Sequence, residues 1–125
     1  VREGGDITIA SWGAMVERCE AAADEAGVSA DIIDLRTLAP WDAEAVLASV
    51  RRTHRCLIVH EDILTGGFGA EIAARVADEA FLDLDAPVAR LTMPDIPSPH
   101  HPELMEWALP SVARIAAKIK QQVAF

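Results

Sequence analysis

Two residues that could perform acid/base chemistry stand at the end of the third hydrophobic run of this sequence. His60 and Glu61 follow the apolar run CLIV. A carboxylate close to an imidazole shifts the pKa of the imidazole into the range used in acid/base catalysis. Adjacent residues of a strand point to opposite faces of a sheet, so the two side chains need not meet. A histidine that is hydrogen-bonded at the end of the sheet, or at an interface, is the alternative interpretation.

The glycine-rich segment TGGFG follows shortly afterwards. It contains Gly66, Gly67, Phe68 and Gly69 and precedes a helical pattern. Free backbone N–H groups and the helix dipole attract anions at such a position. The segment lacks both the Lys-Ser/Thr ending of a phosphate-binding loop and the glycine spacing of the dinucleotide fingerprint. It therefore predicts either a pocket for a simple anion or only a tight turn into the helix.

Other catalytic patterns are missing from the sequence. His100 and His101 have no third metal ligand at a fixed spacing, and no Gly-x-Ser-x-Gly motif is present. Cys19 and Cys56 stand in apolar patterns without metal-ligand or redox spacing, so we expect two small buried thiols in a reducing compartment. A hydrolase and a metal centre are not expected.

The elements that position these residues alternate along the chain. Apolar runs rich in β-forming residues predict strands, and apolar positions spaced by three and four predict helices between them. The predicted strands are 7–12, 30–35, 55–60 and 88–92. The predicted helices are 14–26, a helix after the N-cap Asp42, a helix through 68–80 after the glycine-rich turn, a short helical piece around 104–108 and a last helix over 110–123. Four prolines between 93 and 102 predict an irregular crossing segment. The alternation indicates an α/β fold with a parallel sheet between two helix layers.

Length and composition bound the class of protein. The 125 residues correspond to one domain, and the 51% hydrophobic and 25% charged content is that of a globular chain. No apolar run reaches the roughly 18 residues that a membrane span needs, and no signal peptide opens the chain, so we expect a soluble protein. The net charge of −9 argues against nucleic-acid binding. It suits a basic protein partner, or it only maintains solubility.

Three segments together resemble one protein family. IDLRTLAPWD, IVHEDILTGGFGAEIAARV and APVARLTMPDIPSP resemble, in this order, the C-terminal domain of the β subunit of thiamine-diphosphate-dependent 2-oxo acid dehydrogenases, which belong to the transketolase superfamily. The Trp41-Asp42 pair after Pro40 is more similar to branched-chain enzymes than to pyruvate enzymes.

The resemblance implies a fold, a reaction and a set of partners. It implies a three-layer helix/sheet/helix sandwich whose mostly parallel sheet has five strands, with a truncated antiparallel edge strand leading into residues 1–4. Residues 1–125 would form a single transketolase C-terminal-like domain, a fragment of a longer β subunit. The intact enzyme would oxidatively decarboxylate a branched-chain 2-oxo acid and acylate a lipoyl group, using thiamine diphosphate and Mg²⁺ that this domain does not bind. The isolated domain would be inactive.

Assembly is the role that the resemblance implies for the domain itself. The partners would be an α subunit and a second β subunit in an α2β2 heterotetramer, together with the binding domain of the lipoyl acyltransferase. Candidate docking or interface residues are Phe125, Arg36, Trp41, His60, Glu61, Gly66, Gly67, Phe68 and Gly69. In this interpretation the C-terminal carboxylate of Phe125 and nearby acidic side chains bind an arginine of the acyltransferase. The location would be the bacterial cytoplasm, or the mitochondrial matrix in a eukaryote.

Two alternatives accompany this interpretation. A β subunit of pyruvate or acetoin dehydrogenase would differ only in its substrate, which this domain does not contact. A free-standing regulatory module would instead use the glycine turn at Gly66 to bind an anion.

Overall fold

The computed structural model describes residues 1–125, and its elements alternate as the sequence predicts. The strands are β1 (Ile7–Ser11), β2 (Ala30–Asp34), β3 (Cys56–Ile63) and β4 (Ala89–Met93). The helices are α1 (Met15–Ala26), α2 (Ala43–Thr53), α3 (Phe68–Glu79), α4 (Pro102–Ala108) and α5 (Val112–Val123), and a 3-10 turn spans Phe81–Asp83. The α/β class is confirmed.

The four strands form one parallel sheet in the order β2-β1-β3-β4. Successive residues of each strand point to opposite faces, and both faces are apolar because helices cover both. Ile9 and Leu57 contribute to the core beneath α1 and α5, whereas Ala10 and Ile58 contribute to the core beneath α2 and α3. The sandwich therefore has two separate hydrophobic layers.

Local signals set the helix ends. Gly27 closes α1 in the left-handed conformation at φ 67°, which glycine adopts without a steric penalty. The side chain of Asp42 accepts a hydrogen bond from the N–H of Ala45, so the predicted N-cap of α2 is confirmed.

Several predicted boundaries were wrong by a few residues. Strand β3 continues past the predicted end at residue 60 to Ile63, and its register with β4 shifts between Val59 and Ile63. The start of α3 at Phe68, after the turn formed by Gly66 and Gly67, agrees with the predicted glycine turn and helix. Helix α4 begins at Pro102, whose fixed φ suits a first helical turn.

The chain before β1 runs along the edge of β2. Arg2 and Ile32 form a single antiparallel bridge, with the N–H of Ile32 donating to the carbonyl of Arg2 at 2.8 Å. This bridge lies where the resemblance implies an antiparallel edge strand. The regular sheet itself has four strands.

A buried polar network joins α2 to the sheet. The hydroxyl of Thr8 lies 2.6 Å from the Ser49 hydroxyl and 2.7 Å from the Thr53 hydroxyl. Ser49 also donates to the carboxylate of Asp31, which forms an ion pair with Arg52. These contacts satisfy polar groups that would otherwise be costly to bury.

None of the helices combines the length and the apolar character that crossing a membrane requires.

Candidate functional site

An aromatic cluster lies where β1 and β3 end. Trp12 follows β1, His60 lies in β3, and their rings are stacked with centroids 5.0 Å apart and planes inclined by 12°. The ring of Phe68, the first residue of α3, meets Trp12 edge-on at 6.2 Å. The cluster connects two strand ends with the start of a helix.

Glycine backbone makes room for the imidazole of His60. A Cβ on Gly67 would lie 2.8 Å from the Cε1 of His60, and a Cβ on Gly69 would lie 2.5 Å from its Cδ2. Contacts this short do not occur for real Cβ atoms. Gly66 has a φ of +75°, which side chains other than glycine rarely adopt. The structure therefore supports the tight-turn interpretation of the glycine segment.

The imidazole of His60 is fully buried and neither ring nitrogen has a hydrogen-bond partner. Burial lowers the pKa of His60, because the charged form loses its hydration, and Arg90 acts in the same direction. The carboxylate of Asp62 opposes the shift. The ring is therefore held in its neutral form.

The structure does not bring His60 and Glu61 together as an acid/base pair. Glu61 is exposed, and its Oε2 lies 3.5 Å from where a Cβ of Gly13 would be. Within this chain neither nitrogen of His60 has a hydrogen-bond partner, and its role at an interface stays a prediction. The two side chains diverge because adjacent strand residues face opposite ways.

The residue that opens the glycine turn is bound by a carboxylate of the same chain. Thr65 donates its backbone N–H to Asp95 Oδ1 at 2.8 Å and its hydroxyl to Oδ2 at 2.6 Å. These hydrogen bonds lower the pKa of Asp95. The two donors of Thr65 are thus already occupied, which weakens the interpretation as an anion pocket.

Arg36 and Trp41 lie outside the aromatic cluster. The side chain of Arg36 is 85% exposed and its Nε lies 3.3 Å from Asp34 Oδ2. Trp41 is half-buried, and the guanidinium of Arg75 lies 5.6 Å from the centroid of its ring. Arg36 is free to contact a partner, whereas Trp41 packs mainly within the domain.

A concave apolar surface, which we call the apolar hollow, lies between α3 and the C-terminal residue. Its volume is about 810 Å³, and eight of its ten lining residues are hydrophobic. Ala73 and Ala77 of α3 line it together with Phe125 near the C-terminus. The lining residues are Ala73, Ala77, Phe81, Leu82, Leu84, Asp85, Ala86, Pro87, Val88 and Phe125.

Beside the apolar hollow stands a protrusion formed by Phe81 and Leu82, which we call the 81–82 ridge. Phe81 is 69% exposed and Leu82 is 94% exposed. Sequence reasoning missed both the ridge and the hollow. The available signal was the pair of large apolar residues directly after the last turn of α3, where a helix end is usually polar or capped.

Phe125 has mixed electrostatic surroundings. Its side chain is 61% exposed and also borders a smaller cleft that contains Arg90 and Lys118. Asp85 is the acidic residue that lines the apolar hollow with Phe125.

The histidine, cysteine and carboxylate side chains of this chain are not grouped as metal ligands. No group of three or more His, Cys, Asp or Glu side chains is placed to hold a metal ion. His101 instead caps α4, accepting a hydrogen bond from the N–H of Glu103 at 3.3 Å.

Comparison with known proteins identifies relatives along nearly the whole chain. Residues 1–115 match the family described as "Transketolase, C-terminal domain". The chain is 47% identical to the 2-oxoisovalerate dehydrogenase subunit beta of Pseudomonas aeruginosa, over 97% of this chain and 34% of the relative. It is 40% identical to the pyruvate dehydrogenase E1 component subunit beta-2, mitochondrial, of Oryza sativa, over 96% of this chain and 33% of the relative. The chain thus spans about a third of the length of these relatives.

A solved structure shares the fold. The protein described as "Split gene transketolase, inactive beta4 tetramer" superimposes with a TM-score of 0.82 and 25% sequence identity. The superposition covers 98% of this chain and 40% of that chain.

Proposed function

Because the chain belongs to the transketolase C-terminal domain family, we propose that it is the C-terminal domain of the β subunit of a 2-oxo acid dehydrogenase. The observation that carries the proposal is the 47% identity to a 2-oxoisovalerate dehydrogenase β subunit across nearly the whole chain. A relative of the pyruvate type has 40% identity over almost the same span. The higher identity supports a branched-chain 2-oxo acid as the substrate.

In this proposal the chemistry belongs to the intact enzyme. That enzyme oxidatively decarboxylates the 2-oxo acid and acylates a lipoyl group, and thiamine diphosphate with Mg²⁺ supplies the electron sink when bound. Other parts of the assembly hold the cofactor, and the isolated domain is inactive. The enzyme works in the cytoplasm of a bacterium or in the mitochondrial matrix.

The chain itself contributes to assembly and docking. It helps to join an α subunit and a second β subunit in an α2β2 heterotetramer. The binding domain of the lipoyl acyltransferase docks at Phe125. The ring of Phe125 packs against an apolar side chain of that domain, and an arginine of that domain binds the Asp85 carboxylate. The exposure of both residues and the net charge of −9 support a basic partner at this end of the domain.

The candidate residues then divide into two groups. Arg36 and Glu61 are exposed and are proposed to contact other subunits. His60, Gly67 and Gly69 act within the domain, because they hold the start of α3 against β3.

The test of the proposed function uses the intact β subunit co-expressed with the α subunit of the same organism. We expect the two to co-purify and to acylate a lipoyl domain faster with 2-oxoisovalerate than with pyruvate. Faster acylation with pyruvate would instead assign the chain to the β subunit of a pyruvate dehydrogenase. A β chain that purifies alone, without any decarboxylating activity in a reconstituted mixture, would overturn the assignment.

Docking is tested with Phe125→Ala and Asp85→Asn in the same complex. We expect weaker acyltransferase binding with unchanged decarboxylation measured with an artificial electron acceptor. Glu44→Gln, at an exposed position of α2, is the surface control and should leave acyltransferase binding unchanged. Arg36→Ala tests the separate subunit contact, and it should affect α2β2 assembly before it affects KM. If both variants kept an unchanged affinity for the acyltransferase, the acyltransferase would not bind at this end of the domain.

A further inference from the structure

We propose that the cleft between the start of β4 and the end of α5, which we call the basic cleft, binds a small hydroxy carboxylate. Arg90 and Lys118 receive the carboxylate, and Gln122 accepts a hydrogen bond from the hydroxyl beside it. The apolar part of the molecule packs on the apolar wall of the cleft. The inference goes beyond the proposed function, because it assigns a binding site for a small molecule rather than for a subunit.

The basic cleft has room for a small molecule and a wall of mixed polarity. Its volume is about 410 Å³, and pockets that hold small molecules begin at about 300 Å³. Leu64, Val88 and Phe125 supply apolar surface, whereas Arg90 and Lys118 supply positive charge. Such a wall suits a ligand that has an anionic end and an apolar end.

Both charged side chains of the basic cleft are cations without an ion-pair partner. The chain has 20 acidic and 11 basic side chains, yet no Asp or Glu lines this cleft. Six arginines elsewhere form ion pairs, whereas Arg90 and Lys118 pair neither with an acidic side chain nor with the C-terminal carboxylate. Two unpaired cations in one cleft of an acidic protein attract an anion to that cleft.

Arg90 is held in position while part of its guanidinium stays free. Its Nη1 donates to the carbonyl of Leu64 at 2.8 Å. Asp95, whose pKa Arg90 helps to lower, has both carboxylate oxygens hydrogen-bonded to Thr65. The remaining N–H groups of Arg90 can therefore bind the two oxygens of a carboxylate, a geometry that arginine favours.

Gln122 adds a buried acceptor that lacks a donor. The residue lines the basic cleft, is only 3% exposed, and its Oε1 has no hydrogen-bond partner. Its backbone carbonyl accepts from the Nε of Arg55 at 3.2 Å, which fixes this part of α5. A buried acceptor without a donor is costly, and a hydroxyl of the ligand would satisfy it. This requirement favours a hydroxy carboxylate over a simple carboxylate.

The test is a calorimetric titration of the intact β subunit, purified together with the α subunit. The ligand is mandelate, which has a carboxylate, an adjacent hydroxyl and an apolar ring. Phenylacetate lacks only the hydroxyl and is the matched ligand. The variants are Arg90→Gln and Lys118→Gln. Lys120→Gln is the matched control, because Lys120 is exposed on the same helix and does not line the cleft.

We expect mandelate to bind one site per β chain, and each cleft variant to weaken this binding roughly fivefold, which corresponds to a partly exposed ion pair. Lys120→Gln should bind mandelate as the unmodified protein does, and phenylacetate should bind more weakly than mandelate. The inference would be overturned by an absence of mandelate binding, by an unchanged affinity in both cleft variants, or by equal binding of the two ligands.

Two features keep the result independent of folding and of the proposed function. The side chain of Lys118 makes only a surface hydrogen bond to Gln121, so Lys118→Gln should unfold in urea at the same midpoint as the unmodified protein. The titration also does not measure activity. Normal acylation of a lipoyl domain by a protein that binds no mandelate would show that only this inference, and not the proposed function, had failed.

Discussion

The imidazole of His60 is stacked on the indole of Trp12 with 5.0 Å between ring centroids, while both of its nitrogens lack hydrogen-bond partners. A buried neutral imidazole of this kind makes folding depend on pH. The position of the imidazole also explains why glycines, rather than larger residues, flank the first residue of α3 opposite the ring.

The first prediction is that stability falls on acidification through His60. Burial lowers the pKa of His60 in the folded state, whereas in the unfolded chain it titrates near its ordinary value of about 6.5. The unfolded state therefore binds more protons below that value, and stability is lost as the pH falls from about 6.5 toward the lowered pKa. His60 contributes a slope of at most about 1.4 kcal/mol per pH unit. The unfolding free energy, measured with urea at several pH values, should depend less steeply on pH in His60→Gln. The exposed His100→Gln should leave this pH dependence unchanged.

The second prediction concerns the packing of Gly69 against His60. Gly69→Ala places a methyl group against the imidazole and 3.1 Å from the Cγ2 of Ile58, which should cost about 1–3 kcal/mol of unfolding free energy. Gly5→Ala is the matched control, because nothing lies within 4 Å of its Cβ position. Adding His60→Ala to Gly69→Ala should recover part of the loss in a double-mutant cycle. Strict additivity of the two changes would contradict the proposed contact.

The third prediction is that the polar network beneath α2 stabilises the domain. Thr8→Val keeps the shape of the side chain but removes the hydroxyl that contacts both Ser49 and Thr53. Ser49 then keeps only the Asp31 carboxylate as a partner, and Thr53 keeps only the carbonyl of Arg55. We expect a loss of about 1–3 kcal/mol by chemical denaturation. Thr37→Val, at an exposed position, should change the midpoint little. Equal effects of the two substitutions would show that the network contributes nothing.

The fourth prediction is that neither cysteine reacts in the native protein. Burial raises the pKa of Cys19 and of Cys56 to about 12, so almost no thiolate forms at neutral pH. Iodoacetamide should modify both thiols only after denaturation, as read by intact mass. If either thiol of the native protein reacted as fast as an exposed cysteine, the domain would have to open readily at that residue.

The sequence alone predicted the order of the helices and strands. Whether a segment is covered on one face or on both determines which of its positions are apolar, and this pattern distinguishes helices from buried strands. The runs ITIAS, ADIID, CLIV and ARLTM became the four strands, and Asp42 became the N-cap of α2. The three ordered motifs also indicated the family, and the match to the transketolase C-terminal domain confirms it.

Only the tertiary structure decided how the candidate residues are used. The sequence placed His60 beside Glu61, but the pleat of β3 sends the imidazole into the core and leaves the carboxylate in solvent. It also gave no sign that Phe81 and Leu82 stand beside Ala77 and Phe125, which are brought together from α3 and from the end of α5. Surfaces of this kind depend on contacts between residues distant in sequence, and such contacts leave no local periodicity from which to predict them.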